Sequence, residues 1–392
     1  MNVMRLKITN CIPVGQELLP PQSVYCEDGK ILAVTDRELP CDRVYDGGGA
    51  YLSPGWIDLH CHGGGSYDFM DGGAEAIREG AKTHLCHGTT SLYPTTLSAS
   101  RQTLRRAVED IREAMDFPTV RGAHLEGPYF DPASCGAQNP AYIRGFDREE
   151  MEELLSYGVV KRWDFAPELA GSEEAAAFLA GRGVVPAMGH SSATYEELLP
   201  AYRQGCRLVT HLYSTTSTVV RVEGYRRLGI VESAFLLEDM TAEMIADGHH
   251  LPPELLRMIV QVMGAGRLCL VTDAMRAAGM PEGPTVLGSM QEGVPCISEG
   301  GVAKLPDRSA FAGSVATADQ LVATAYHKAH LPLPRVIEMI TKTPARVMGL
   351  SHKGQLCPGF DADLVLFNEE IRVQAVFVGG RLMAEHGILQ SS

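Results

Sequence analysis

The 392-residue sequence contains no apolar run approaching the roughly 18 residues of a membrane span. Its opening stretch, Met1 to Leu19, interrupts short apolar pairs with Arg5, Lys7, Asn10 and Glu17, so it lacks both the apolar core and the small-residue cleavage site of a secretory signal. Basic residues are in deficit, with 34 Lys and Arg against 48 Asp and Glu, a formal net charge of −14. That balance argues against nucleic acid or an anionic membrane as the main partner, because both demand clustered positive charge. It does not exclude a small anion, since a few inward-facing basic side chains can focus positive potential in one pocket. The ten cysteines are scattered, with no C-x-x-C pair and no regular framework, the usage of a reduced, cytoplasmic enzyme. Long polar tracts are missing too. With 45% hydrophobic and 21% charged residues the chain can bury a large interior.

What is present falls into two textures. Residues 1 to about 53 read as short strands, Met4 to Thr9, Ser23 to Glu27, Lys30 to Thr35 and Arg43 to Asp46, broken by Asp28-Gly29 and Gly47-Gly48-Gly49. The C-terminal stretch from about 351 to 392 repeats the texture in Asp363 to Phe367, Ile371 to Val378 and Arg381 to Met383. Two strand-rich ends around a different middle predict one small β-sandwich domain built from both termini. Between them, residues 54 to 350 alternate apolar runs with helical patterns such as Ala74 to His87, Glu149 to Tyr157, Ser172 to Arg182, Thr194 to Gly205 and Pro253 to Met263. The runs number eight: Gly55 to His62, Thr89 to Thr95, Gly122 to Glu126, Trp163 to Glu168, Val184 to His190, Leu208 to Tyr213, Glu243 to Asp247 and Leu268 to Asp273. The α/β class and this count predict a (β/α)₈ TIM-like barrel.

Most of these runs end in a His, Asp or Glu: His60 and His62, Glu126, Glu168, His190, His211, Asp247 and Asp273. In a barrel the carboxyl ends of all strands meet on one face, so these residues would converge there. His60 and His62 stand at i and i+2 of a strand and share a side. Glu126 precedes the turn-forming Gly127-Pro128. Imidazole with carboxylate suits a divalent metal, and three protein ligands with an open position are the usual catalytic arrangement. An acid beside such a metal, here Asp273, can take the proton of the attacking water and return it to a leaving nitrogen. Cysteine-rich closure, the mark of a structural zinc, is absent.

Read in order, Pro54-Gly55-Trp56-Ile57-Asp58-Leu59-His60-Cys61-His62-Gly63, His124-Leu125-Glu126-Gly127-Pro128, Gly189-His190-Ser191, Thr210-His211-Leu212-Tyr213, Ala246-Asp247-Gly248-His249-His250 and Val271-Thr272-Asp273-Ala274 resemble the N-acetylglucosamine-6-phosphate deacetylases of the amidohydrolase superfamily. The resemblance spans nearly the whole chain and includes Gly354 to Val365 as the return into the small β domain. It implies that Glu126, His190 and His211 hold the main divalent metal and that His60 and His62 allow a second, with zinc foremost and iron or manganese open. Asp273 takes the acid/base role, and His250 contacts the sugar and the reacting carbonyl. Ala137, Gln138, Ser214 and Thr215 occupy substrate-contact positions. Arg226 falls where the family has an arginine that reaches the substrate phosphate, often in the neighbouring subunit, which implies a homodimer. The implied reaction frees acetate from an N-acetyl amino sugar phosphate.

Departures from the family pattern touch the substrate. Lys-Gly-Ala-His-Asn-Pro becomes Cys135-Gly136-Ala137-Gln138-Asn139-Pro140, His-Leu-Tyr-Asn-Ala-Met becomes His211-Leu212-Tyr213-Ser214-Thr215-Thr216, and Arg-Glu-Pro-Gly becomes Arg226-Arg227-Leu228-Gly229. They leave open the galacto epimer, an unphosphorylated sugar and, from another class, a silent binding protein. The intact metal set speaks against the last.

Overall fold

A computed structural model describes residues 5–15 and 17–390, so Met4, the expected start of the first strand, lies outside the described residues. The eight apolar runs become eight parallel strands: β1 (Trp56–Cys61), β2 (Thr89–Thr96), β3 (Ala123–Glu126), β4 (Val160–Phe165), β5 (Val185–Met188), β6 (Leu208–Val209), β7 (Thr241–Ile245) and β8 (Leu268–Val271). Each pairs with the next along the chain. The ring closes between β8 and β1, where Asp273 N donates to His60 O and His62 N to Ala274 O, both at 2.8 Å. Strands covered on both faces read as continuous apolar runs, and every residue of Leu268-Cys269-Leu270-Val271 is buried. Helices cover the outside. Arg101–Ala114 is typical: Ser100 caps it by accepting from Thr103 N, and Leu104, Ala107, Val108 and Ile111 form the stripe turned to the barrel.

One strand sits apart from its sequence expectation. β4 begins at Val160 and ends at Phe165, so the expected Trp163 to Glu168 runs about three residues late. The cause is Arg162, a charged residue that breaks the apolar pattern yet is fully buried inside the barrel. Besides a two-residue hairpin of Gly63–Gly64 with Tyr67–Asp68 after β1, two larger β units lie outside the eight-strand count. A four-stranded antiparallel sheet, Gly283–Leu287, Val294–Glu299, Val302–Lys304 and Phe311–Ser314, follows β8, and an exposed hairpin, Val220–Val222 with Tyr225–Arg227, follows β6. The buried Arg276 fastens the first of these to the loop after β1. It donates to Val286 O at 2.9 Å, Ser66 O at 3.1 Å and Asp71 Oδ1 at 2.8 Å.

Strands from the two ends of the chain join in one sheet, as Tyr51–Pro54 pairs antiparallel with Leu364–Phe367. The path bends at Leu6–Pro13, which pairs Leu6 to Cys11 with Gln22–Glu27 and Ile12 and Pro13 with Tyr51–Pro54. The two halves enclose one apolar core of Ile8, Val24, Ile31, Leu52, Leu364, Leu366 and Phe377, the sandwich expected from the paired termini. No described helix is long and apolar enough to cross a membrane.

Candidate metal centre

At the carboxyl ends of the strands the four histidines, Glu126 and Asp273 come together. The Nε2 atoms of His190 and His211 each lie 3.0 Å from Glu126 Oε1. On the other side His60 Nε2 and His62 Nε2 are 3.2 Å apart, and Asp273 Oδ1 lies 3.4 Å and 3.2 Å from them. Glu126 joins the two sets, with Oε1 3.5 Å from His60 Nε2 and Oε2 3.4 Å from His62 Nε2. Two groups of three ligand atoms result, Glu126/His190/His211 and His60/His62/Asp273, each able to hold one ion. The chain bends sharply to achieve this: His190, His211 and Asp273 have φ of 47°, 28° and 47°, a left-handed backbone that non-glycine residues adopt only where the surroundings enforce it.

The electrostatics of the cluster suit a cation. Burial disfavours the His62 imidazolium, yet hydrogen bonds to Asp273 and Glu126 outweigh it and raise His62 to about 10. Burial likewise opposes charge on His211, and Glu126 raises it to about 9. Burial would raise Asp273 and Glu126, but the surrounding imidazoles hold both below the usual carboxylate range. Carboxylates that favour protons on buried imidazoles favour a divalent ion in their place, and metal and proton then compete for the same nitrogens. Nitrogen and carboxylate oxygen are also the donors that zinc, iron and manganese take. The residues fit a metal.

Beneath this cluster lies a tier of fully buried polar groups that were not among the expected site residues. Arg162 donates through Nε and Nη2 to Asp164 at 2.8 Å and 2.9 Å, and to Thr210 Oγ1 at 2.9 Å. It also pairs with Glu243, through Nη1 to Oε1 and through Nη2 to Oε2 at 3.1 Å. His124 Nε2 lies 2.9 Å from Asp164 Oδ2. Burial and the Arg162 charge push His124 down to about 4, so it is neutral in this tier at neutral pH. Burial opposes ionisation of Glu243 as well, but Arg162 and His60 bring it to about 2. The period-two spacing of 124/126 and 162/164 was the available signal.

A cavity of about 300 Å³ opens above the metal ligands. His62, Glu126, His190, His211 and Asp273 line it, and so do the expected substrate-contact residues Ala137, Gln138, Ser214, Thr215 and His250. Gln138 is 5% exposed; its Nε2 donates to Glu126 Oε2 at 2.7 Å and its Oε1 accepts Ser98 N at 2.8 Å. Gly136 has a φ of 61°, and a Cβ there would meet Thr215 Cγ2 at 2.9 Å, so a larger residue would strain the turn. His250 Nδ1 is 2.7 Å from Asp247 Oδ2, which leaves Nε2 for the cavity, and its ring meets Phe311 edge-on at 4.9 Å. Leu287, Ala310 and Phe311, from the sheet after β8, close one wall and were not expected. Gly313 of the same sheet also lines the cavity. Glu168 and Asp247 do not line it: Glu168 accepts Ser191 Oγ at 2.6 Å and Ser192 N at 2.7 Å, pinning the turn after His190. Arg226 stands on the exposed hairpin and is not among the residues lining its own chain's cavity.

Residues 51–383 match the model of the Amidohydrolase family. The chain belongs to this family. Within it, a Lysinibacillus sphaericus N-acetylglucosamine-6-phosphate deacetylase is 32% identical over 92% of this chain and 93% of its own length. An Escherichia coli N-acetylgalactosamine-6-phosphate deacetylase is 30% identical over 84% of this chain and 87% of its own. Among solved structures, a Mycobacterium smegmatis N-acetyl-D-glucosamine-6-phosphate deacetylase variant in complex with N-acetyl-D-glucosamine-6-phosphate superposes with a TM-score of 0.88 at 31% identity, over 97% of this chain and 99% of that one. The Thermotoga maritima N-acetylglucosamine-6-phosphate deacetylase gives 0.85 at 29% identity, over 96% and 99%. This amidohydrolase therefore groups with the amino sugar phosphate deacetylases in both sequence and fold.

Proposed function

We propose that the chain hydrolyses the acetamide of N-acetylglucosamine 6-phosphate to acetate and glucosamine 6-phosphate. The observation that carries the reading is the convergence of six buried metal-ligand candidates, Asp273 among them, with His250 at one cavity, in a chain similar throughout to deacetylases of that substrate. Glu126, His190 and His211 would hold the main ion, zinc foremost, and His60 and His62 with Asp273 a second. When bound, a divalent ion supplies Lewis acidity, polarising the carbonyl and making water acidic enough to lose a proton near neutral pH. Asp273 accepts that proton as the water oxygen bonds to the carbonyl carbon. His250, its Nδ1–H held by Asp247, turns Nε2 to the carbonyl oxygen, where the doubly protonated ring donates to the negative charge that builds. Asp273 then gives the proton to the nitrogen, and the carbon–nitrogen bond breaks to leave a free amine.

No Lys or Arg lines the cavity among the described residues. Arg226 of a second copy supplies the phosphate contact in this reading, making a homodimer the active unit in the cytoplasm. The galacto epimer is the second reading, favoured by the 30% identity to a deacetylase of that epimer and by Gln138 and Ser214 in place of the family residues.

Acetate release by zinc-reconstituted protein tests this, with N-acetylglucosamine 6-phosphate, its galacto epimer and the unphosphorylated sugar in parallel. Fastest release from the gluco phosphate, abolished by a chelator and restored by metal, is the expected result. Preference for the epimer would move the substrate and keep the chemistry. Silence on all three by metal-loaded protein would overturn the reading.

A further inference from the structure

The distal nitrogens of the four histidines are treated unequally. His62 Nδ1 and His211 Nδ1 have no hydrogen-bond partner among the described residues, and His190 Nδ1 lies 3.0 Å from the Ser134 carbonyl. His60 Nδ1 alone faces a carboxylate, Glu243 Oε2, at 3.2 Å. The same oxygen accepts Arg162 Nη2 at 3.1 Å and the backbone N of His211 at 3.3 Å. Glu243, Arg162 and His60 are 0% exposed, so these contacts are made in a low-dielectric interior free of competing water.

We propose that Glu243, clamped by Arg162, is the positioning residue of the centre: it keeps the His60 proton on Nδ1, turns Nε2 to the His62/Asp273 metal position, and ties that position to the backbone of His211. Three observations support it. A carboxylate on the far nitrogen of a ligand histidine fixes its ring orientation and strengthens it as a ligand. Arg162 holds Glu243 through both oxygens, so the carboxylate has no freedom to turn away. His211, whose own ring lacks a distal partner, carries a left-handed backbone that the Glu243 contact helps to hold. Glu243 thus touches both ligand sets and lines no part of the cavity.

The inference rests on the two-ion reading above, and its test is chosen so that the two can fail separately. Glu243→Asp keeps the charge beside Arg162 but is one methylene too short to hold His60; Glu243→Gln keeps the reach and an acceptor but loses the charge. Zinc titration of the chelated proteins should find two ions per wild-type chain. In Glu243→Asp one ion should bind ~10- to 100-fold more weakly and the other lose distinctly less, with Glu243→Gln less affected. Tight binding of both ions by Glu243→Asp would overturn the proposal, as would an equal loss of both, which a general structural role predicts. Nitrogen-15 spectra of histidine-labelled, metal-free wild type supply the independent arm. They should show a slowly exchanging proton on His60 Nδ1; an unprotonated Nδ1 would overturn the proposal even if neither variant folds. A single ion bound by wild type would defeat the two-ion reading while this spectrum still decides the role of Glu243.

Discussion

Beneath the histidines, Arg162, Asp164 and Glu243 are 0% exposed and bonded to one another; at the rim, Arg221, Arg226 and Arg227 are exposed, and among the described residues only Arg227 meets a carboxylate, Glu196 at 3.1 Å. The same residue type does different work in the two places. In the floor, removing one partner strands a charge where water cannot reach it, so the set stands or falls together. At the rim each charge is hydrated and screened, and a substitution costs the fold little. Two of the three departures from the family pattern, at Ser214 to Thr216 and at Arg227 and Leu228, fall in the segment that runs to the rim hairpin and back. Gln138 is the exception, since it reaches down to Glu126. In the proposed reading the floor secures the chemistry and the rim adapts the ligand.

The sharpest test above the floor is Asp273→Asn, which removes the proposed proton carrier from the ligand cluster and should lower kcat by ~10²- to 10⁴-fold. Zinc content should stay at one ion or more per chain; loss of all metal would mean the residue acts only as a ligand. Next in size, Arg162→Met leaves Asp164 and Glu243 buried without their cation and should destabilise the protein by about 3–5 kcal/mol, read from urea unfolding of the metal-free chain. A change within the range of surface substitutions would erase the distinction between floor and rim. Smallest, Arg226→Ala should raise KM for the phosphorylated sugar by roughly 13- to 160-fold, the ~1.5–3 kcal/mol of a charged hydrogen bond, and leave kcat, stability and the unphosphorylated sugar alone. An equal rise in KM for both sugars would remove the phosphate from its proposed role.

The eight barrel strands were legible because strands covered on both faces must be apolar, and the site ligands were legible because each interrupts such a run at its carboxyl end. Arg162 misled for the same reason: a lone charge inside a run reads as its boundary, and only closure of the barrel reveals Asp164 and Glu243 as its partners. The sheet after β8 escaped because its strands are short and broken by Gly288, Gly293, Gly300 and Gly301, leaving no sustained alternation. Only the resemblance, whose arginine often serves the neighbouring subunit, hinted that Arg226 stands off its own cavity, since spacing along a sequence does not say which way a hairpin leans.

The small sheet also sets a timetable. Tyr45 hydrogen-bonds Glu385 across 340 positions of sequence, and Tyr51–Pro54 has Leu364–Phe367 as its neighbour. At roughly 5–20 residues per second on the ribosome, the early strands wait about twenty seconds to a minute for these partners to emerge, with Leu52 and Ile8 uncovered on their edge of the sheet. The barrel can be assembled and its ligands gathered before that sheet is complete. A nascent chain stalled short of Leu364 is therefore the form of this protein most exposed to sticking to a neighbour.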